Sequence, residues 1–283
     1  MIDRRTKNAM IFKDTEQVYR TNETLKTVIT NSIQNQKLIL EEDKVDYVIA
    51  GGKEGKVVVS GKRTLEASES YAKQGKRVCV LNFASATNPG GGVVHGSSAQ
   101  EEAICRCSTL YPCLNTKEMW NKYYIPHRLA DNPLYNDDCI FTPAVKVFKG
   151  DTNFPELLPE KDWWDVDVIT CAAPNLRNIP SNFMNPNTGS KKADINLEEL
   201  KALHVGRIQR IFEVAMANNA EVLILGAFGC GAFRNPPELV AEVFAEFTEK
   251  YRECFDTIEY AVFHIEREAA NYVAFKETMK CLN

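Results

Sequence analysis

Three consecutive glycines, Gly90 to Gly92, separate a short apolar run from an amphipathic run, and this junction constrains the fold more than any other stretch. Residues 77–83 are apolar and lie between Gly75 and Pro89, which predicts a buried strand. Residues 99–111 have helical spacing, which predicts a helix. A glycine loop lets backbone N–H groups approach a ligand closely. Since ligands in α/β folds often bind where a strand ends and a helix begins, this loop is the first candidate site.

Apolar runs that predict strands alternate along the chain with amphipathic runs that predict helices. We expect strands at 47–49, 57–59, 77–83, 139–148, 165–173, 222–227 and 258–263, and helices within 1–40 and at 64–74, 99–111, 194–218, 237–251 and 268–280. Asp194 is a candidate N-cap, and Leu197 belongs to the predicted apolar face of the helix that follows. Such alternation implies a sheet that helices cover on both faces.

The length of 283 residues fits one elaborated α/β domain. We expect residues 1–75 to form a helical and strand extension packed on a core of residues 76–283. A polar connection from Arg177 to Lys192 is long for a compact domain, which indicates a functional or mobile loop. We expect the extension and the core to form one compact unit overall.

Charge and cysteine content argue against several classes of function. The net charge of −4 provides no basic field, so we expect no specific DNA binding. Nine cysteines without paired CxxC spacing, and the lack of a secretory leader, indicate reduced thiols and a cytoplasmic protein. No apolar run approaches the roughly 20 residues that span a bilayer. Cys105, Cys107 and Cys113, near His95, lack a recognised zinc spacing, so we expect no metal in catalysis.

Two adjacent carboxylates, Glu101 and Glu102, follow the glycine loop. A positioned glutamate can protonate the departing sugar oxygen in glycoside cleavage. Two simpler interpretations stay open, because Ser98 to Glu101 has the form of a capping box, and Glu102 with Arg106 has the spacing of a surface ion pair. The helix N-terminus favours ionised Glu102, whereas the charge of Glu101 and of bound phosphates would raise the pKa of Glu102.

The string Gly90-Gly91-Gly92, seven residues and then Gln100-Glu101-Glu102 resembles the signature of poly(ADP-ribose) glycohydrolases, and its surroundings resemble the microbial type. A second segment, Gly226 to Pro236, resembles the diphosphate-binding loop of that family. The resemblance covers the chain from about residue 75 to its end. It implies a three-layer α/β/α macrodomain-like fold with a central mixed sheet and an N-terminal helical extension.

The resemblance also implies hydrolysis of the ribose–ribose O-glycosidic bond, with release of ADP-ribose from chain ends. The implied substrate is an ADP-ribose polymer or an ADP-ribosylated macromolecule; no cofactor and a monomeric state are expected. A macrodomain that binds ADP-ribose without cleaving it remains an alternative, as does a hydrolase that removes single ADP-ribose units from protein or nucleic acid.

Residue roles follow from the same resemblance. Glu102 is implied as general acid and base, Glu101 as the group that holds ribose hydroxyls, and Phe233 as the ring beside the reacting ribose. The full implied substrate-binding set is Asn88, Gly90, Gly91, Gly92, Gln100, Gly229, Cys230, Gly231, Ala232 and Phe233. We expect His95 to be an ordinary loop residue, and Trp163 and Trp164 to pack in the core or an interface rather than stack on adenine.

Overall fold

A seven-stranded mixed sheet forms the centre of the computed structural model, which describes residues 3–282. The strands are β1 Lys37–Ile39, β2 Lys56–Ser60, β3 Val78–Phe83, β4 Cys139–Val147, β5 Trp164–Cys171, β6 Val222–Leu225 and β7 Thr257–Ala261. Their spatial order is β1-β4-β5-β3-β6-β7-β2. The five strands from β5 to β2 run parallel, whereas β4 pairs antiparallel with both β5 and β1. The predicted mixed sheet is confirmed.

Helices cover both faces of this sheet. They are α1 Arg4–Thr21, α2 Glu23–Gln34, α3 Thr64–Lys73, α4 Gln100–Cys107, α5 Leu110–Leu114, α6 Lys117–Met119, α7 Ile125–Ala130, α8 Leu197–Ala217, α9 Pro237–Tyr251 and α10 Ala270–Thr278. Successive side chains of a strand point to opposite faces. Accordingly, Val78 and Val80 of β3 lie in one core with α1, α3 and α4, and Cys79 and Leu81 lie in the other with α8, α9 and α10. The three-layer α/β/α arrangement is therefore confirmed.

Several predicted elements differ from the observed ones. Residues 47–49 form no strand, because Val48 and Ile49 are exposed and have no core to cover. The predicted helix over 99–111 ends at Cys107, since Ser108 is extended and bridges to β4. The helical prediction for 1–40 missed β1, and the segment 112–162 contains two helices and a π-helical turn that its composition did not predict.

Helix α8 begins later than predicted. Its N-cap is Asn196 rather than Asp194, because the Asn196 side chain accepts from the Glu199 N–H at 2.9 Å and Glu199 bonds back to the Asn196 N–H at 3.1 Å. This reciprocal pair is a capping box. Leu197, in the first turn, is exposed, so its assignment to the apolar face was wrong. The other predicted members of that face, Leu200, Ile208, Ile211, Phe212 and Ala215, are buried.

Helix α1 packs directly against the glycine loop and α4. Phe12 is buried in the same core as α4. The Asn8 side chain donates to the Gly96 carbonyl at 3.1 Å, and the Thr15 hydroxyl donates to the Arg106 carbonyl at 2.6 Å. The first 75 residues also supply both edge strands of the sheet, β1 and β2.

Met1, Ile2 and Asn283, which belong to the expected extension and core, lie outside the described residues. Within residues 3–282, no helix combines the length and apolarity needed to cross a membrane.

Candidate active site

A cleft of about 520 Å³ opens where the parallel strands end. Its lining includes residues at or after the ends of β3, β5, β6 and β7 together with the first turn of α4: Phe83, Ala84, Ser85, Ala173, Ala227, Gly229, Gly231, Ala232, Phe233, Val262, Phe263, Gln100, Glu101 and Glu102. The carboxyl edge of a parallel sheet is the usual ligand position in α/β folds. The cleft is large enough for a nucleotide-sized ligand.

Of the three consecutive glycines, Gly91 alone lines this cleft. Its φ is +57°, and a Cβ placed on it would lie 2.6 Å from Glu102 Oε1 and 3.0 Å from Glu101 Oε2. The position therefore requires glycine for both its backbone conformation and its closeness to the carboxylates. Gly90 and Gly92 instead face the protein, where a Cβ would meet Tyr111 and Ser97.

Glu102 is nearly buried, with 7% of its surface exposed. Its Oε1 accepts a hydrogen bond from the Gly92 N–H at 2.9 Å, whereas its Oε2 has no partner among residues 3–282. Burial raises the pKa of Glu102, and this effect exceeds the opposing hydrogen bond from Gly92. Desolvation therefore outweighs the hydrogen bonds and the Arg106 charge, which lower the pKa of Glu102.

Glu101 is held differently. It is 3% exposed, and its Oε2 accepts from the Ser85 N–H at 2.8 Å. The Asn82 side-chain amide lies 3.4 Å from Glu101 Oε1. Burial, and then the charge of Glu102, raises the pKa of Glu101 well above its ordinary value.

Both simpler interpretations of the glutamates are wrong. Ala99, not Ser98, is the N-cap of α4, and Glu101 bonds to Ser85 rather than back to Ser98. Arg106 is buried and donates through Nη1 to the Ser97 carbonyl; it forms no ion pair with Glu102 in the part of the chain described.

Gln100 attaches α4 to the sheet. Its Oε1 accepts from the Phe83 N–H at 2.8 Å, and its Nε2 donates to the Leu81 carbonyl at 2.7 Å and to the Thr64 hydroxyl at 3.0 Å. These three bonds use the Gln100 side chain to join α4 to protein groups. They thereby fix the positions of the next two residues, Glu101 and Glu102, at the cleft.

Asn88 is buried behind the glycine loop and does not line the cleft. Its Nδ2 donates to the Pro186 carbonyl at 2.7 Å and to the Asn185 side chain, while its Oδ1 accepts from Arg128. Arg128 also donates to the Thr87 carbonyl at 2.7 Å. Asn88 therefore joins the glycine loop to the long polar connection, from which Asn185 enters the cleft. The length of that connection was the only sequence signal for Asn185, and none pointed to Arg128.

The second glycine loop follows β6. Gly229 has a φ of +75°, and a Cβ there would lie 2.5 Å from both Ala173 Cβ and Asn235 Nδ2. A Cβ on Gly231 would meet no atom within 4 Å, so this glycine faces open space in the cleft. Ala232 and the half-buried Phe233 also line the cleft. Cys230 packs against the hydrophobic core and does not line the cleft.

A buried pair, Asn235 and His204, fixes this second loop. Asn235 Nδ2 donates to the Pro174 carbonyl at 2.8 Å and to the Gly229 carbonyl at 3.1 Å, so its Oδ1 is the acceptor for His204 Nε2 at 2.9 Å. Burial lowers the pKa of His204 to about 4, which keeps the ring neutral at neutral pH. No sequence pattern predicted this contact, because nothing in the spacing links α8 to the loop.

None of the remaining candidates lines the cleft. His95 is exposed beside Phe183, with ring centroids 6.3 Å apart. Trp164 is buried in the core, and Trp163 donates its indole N–H to the Leu158 carbonyl at 2.8 Å. The cysteines are free thiols, and residues 3–282 contain no cluster of three side chains suited to a metal ion.

Known proteins resemble both the sequence and the fold of this chain. The family model for the microbial-type poly(ADP-ribose) glycohydrolase catalytic domain matches residues 6–150, which contain the first glycine loop and both glutamates. That match begins in α1, whereas the sequence motifs indicate a resemblance only from about residue 75. No curated protein matched the chain.

Solved structures of bacterial enzymes resemble nearly the whole chain. Poly(ADP-ribose) glycohydrolase from Thermomonospora curvata is 28% identical with a TM-score of 0.81, over 97% of this chain and 100% of that one. The same protein bound to the inhibitor ADP-HPD is 27% identical with a TM-score of 0.79, over 96% and 99%. The Deinococcus radiodurans enzyme in complex with ADP-ribose is 30% identical with a TM-score of 0.77, over 90% and 98%. The chain therefore belongs to the microbial-type poly(ADP-ribose) glycohydrolase family.

Proposed function

We propose that this protein hydrolyses the ribose–ribose O-glycosidic bond of poly(ADP-ribose) and releases ADP-ribose. The observation that carries the proposal is the buried glutamate pair at the cleft, in which both carboxyl groups have a raised pKa and Glu102 keeps one oxygen without a partner among residues 3–282. A buried carboxyl group with a raised pKa is suited to proton transfer, whereas a module that only binds ADP-ribose has no need of such a group.

In the proposed reaction, Glu102 delivers its proton to the oxygen that leaves with the next ribose as the bond from C1 to that oxygen breaks. Positive charge then develops on the remaining sugar, as in other glycoside cleavages. Water attacks C1 and gives its proton to the Glu102 carboxylate, which restores the acid. One side chain thus acts first as acid and then as base, and the atoms and charges balance.

Glu101 is proposed to bind the hydroxyls of the reacting ribose. Its hydrogen bond from the Ser85 N–H fixes the carboxyl group beside Glu102, and Gly91 leaves room for the sugar to approach both. Phe233, at the rim of the second loop, is proposed to pack beside the same ribose.

The second loop is proposed to bind the diphosphate. Gly229 and Gly231 expose backbone at the cleft, and α9 begins shortly afterwards at Pro237. Backbone N–H groups before a helix N-terminus are well suited to bind anions. The Asn235–His204 pair supports this role, because a preorganised loop loses less entropy when the anion binds.

The test is to incubate the purified protein with poly(ADP-ribose), and separately with a protein carrying single ADP-ribose units, while measuring released ADP-ribose. Release from the polymer supports the proposal. Binding of ADP-ribose without release from either substrate would favour a non-catalytic macrodomain, and release from the singly modified protein alone would favour a mono-ADP-ribosyl hydrolase.

A further inference from the structure

An aromatic and basic patch lies on the surface beside the first glycine loop, two residues along the chain from the cleft-lining Asn185. Phe183 is 65% exposed, and the Arg5 guanidinium lies over its ring at 4.5 Å from the ring centre. The exposed His95 ring is beside it. We call these three residues the Phe183 platform. An isolated exposed phenylalanine needs no explanation, but one that carries a stacked arginine next to a candidate active site does.

The hydrogen bonds of Arg5 leave it suited to bind an anion. Its Nε donates to the His95 carbonyl at 2.9 Å, which fixes the plane of the guanidinium. Its two terminal nitrogens have no acceptor among residues 3–282. The nearby Asp3 carboxylate is already occupied, since it caps α1 and accepts from the Thr6 hydroxyl at 2.6 Å.

A short chain of contacts relates the platform to Glu102. Glu102 accepts from the Gly92 N–H, and a Cβ on Gly92 would lie 3.3 Å from Met184 Cβ. Phe183 precedes Met184, and Asn185, two residues on, lines the cleft. These contacts place the platform beside the loop that bonds to Glu102, the residue at which the leaving group of the proposed reaction separates.

The leaving group of that reaction has a definite chemistry. The oxygen that Glu102 protonates belongs to the adenosine ribose of the next unit, so an adenine base and a phosphate are each attached to the departing sugar. A base stacks favourably on an exposed aromatic ring, and arginine pairs with phosphate. Because the net charge of −4 provides no general attraction for a polyanion, local cations carry more weight here.

We propose that the Phe183 platform is a subsite for the leaving group, which is the ADP-ribose unit that stays on the polymer. Its adenine would stack on Phe183 and its phosphate would pair with Arg5. This inference rests on the proposed glycohydrolase function and deepens it. The cleft itself would hold the unit that is released, so the platform would affect polymer cleavage without affecting the binding of free ADP-ribose.

The experiment compares two substrates: poly(ADP-ribose), and an ADP-ribose glycoside whose departing group is a small synthetic phenol without base or phosphate. The variants are Phe183→Ala and Arg5→Gln. The matched control is Phe154→Ala, because Phe154 is 59% exposed, has Lys7 Nζ over its ring at 5.3 Å, and does not line the cleft. Free ADP-ribose affinity is measured for each protein by calorimetry.

Phe183→Ala is expected to lower kcat/KM on the polymer about tenfold, the scale of one lost base–aromatic stack. Arg5→Gln is expected to lower it by about the same factor, the scale of one lost hydrogen bond to a charged group. Cleavage of the small glycoside and affinity for ADP-ribose should stay at the level of the unaltered protein, as should all properties of Phe154→Ala. Equal losses on both substrates, or no loss on the polymer, would overturn the subsite alone. Failure of the unaltered protein to cleave either substrate would overturn the proposed function and the subsite with it.

Discussion

At the scale of single residues, the site depends on two neighbouring glutamates with different surroundings. Both are buried, yet Glu101 is fixed by the Ser85 N–H while Glu102 keeps one oxygen without a partner among the described residues. Groups whose environments set them apart in this way commonly divide the tasks of a reaction. The geometry therefore supports Glu102 as the group that moves the proton and Glu101 as the group that positions the sugar.

The pH dependence of turnover should follow the protonation of Glu102. Because burial raises its pKa above the ordinary value of 4.5, the acid form persists to higher pH than it would in an exposed glutamate. We expect kcat/KM for ADP-ribose release to fall as pH rises through that raised pKa. The measurement is kcat/KM across acid and alkaline pH. A fall with rising pH whose midpoint lay at or below pH 4.5 would contradict this assignment.

At alkaline pH, Glu101 is expected to destabilise the folded protein. Its pKa is raised in the folded state, so its contribution to stability is present below the unfolded value of about 4.5 and is lost as pH rises through the folded pKa. Glu101→Gln should therefore increase the free energy of unfolding at pH 8 by about 1 kcal/mol, a typical gain on relieving an active-site group. The gain should vanish at pH 4, and denaturant unfolding at both pH values measures it. Equal effects at the two pH values would refute the explanation.

At the scale of elements, two glycine loops shape the cleft, and each is fixed by residues distant in the sequence. The Asn88, Asn185 and Arg128 network holds the first loop, and Asn235 with His204 holds the second. Loops clamped in this way can present backbone groups at fixed positions, which is the requirement for binding a diphosphate without a basic field.

Alanine should destabilise the fold at one loop glycine, Gly91, and leave stability unchanged at the other, Gly231. Gly91→Ala places a left-handed residue against both glutamates, so we expect a loss of about 1–2 kcal/mol in stability and about a hundredfold in turnover. The Cβ that Gly231→Ala adds meets no atom within 4 Å, so the melting temperature of this variant should match that of the unaltered protein.

The methyl group that Gly231→Ala adds should instead project into the proposed diphosphate site. We expect ADP-ribose affinity to fall about tenfold, equivalent to roughly 1.4 kcal/mol, in a normally folded protein. Calorimetry with ADP-ribose checks this, and unchanged affinity would show that ligand does not approach this part of the second loop.

The sequence predicted the loops better than it predicted their supports. Gly91, Glu101 and Glu102 lie within one short stretch, so local spacing was enough to bring them together. The partners of Asn88 and Asn235 come from α7, α8 and the connection before α8, and no local pattern encodes such contacts. Gly90, Gly92 and Cys230, although adjacent to lining residues, face the protein, because alternate positions of a tight loop point in different directions.

At the scale of the whole molecule, the N-terminal helices support the site. Helix α1 contacts the Gly96 carbonyl at the end of the first loop and buries Phe12 in the core that contains α4. The layered fold was predictable because strand and helix periods differ. The short edge strand β1 was not, since three residues are too few to show a period.

Removing the Phe12 ring should therefore destabilise the whole domain. Phe12→Ala is expected to lower the free energy of unfolding by about 3–5 kcal/mol, as for other buried aromatic truncations. Met10→Ala, on the same helix at an exposed position, should change it little. Chemical denaturation of both variants is the measurement; a small loss for Phe12→Ala would mean that α1 is dispensable to the core.

The central claim is that Glu102 moves the proton in ADP-ribose release. The most direct test measures release from poly(ADP-ribose) by the unaltered protein and by Glu102→Gln, together with the affinity of each for ADP-ribose. We predict rapid release that falls about 10²–10⁴-fold in the variant while affinity is retained. Release by Glu102→Gln at the rate of the unaltered protein would contradict the claim.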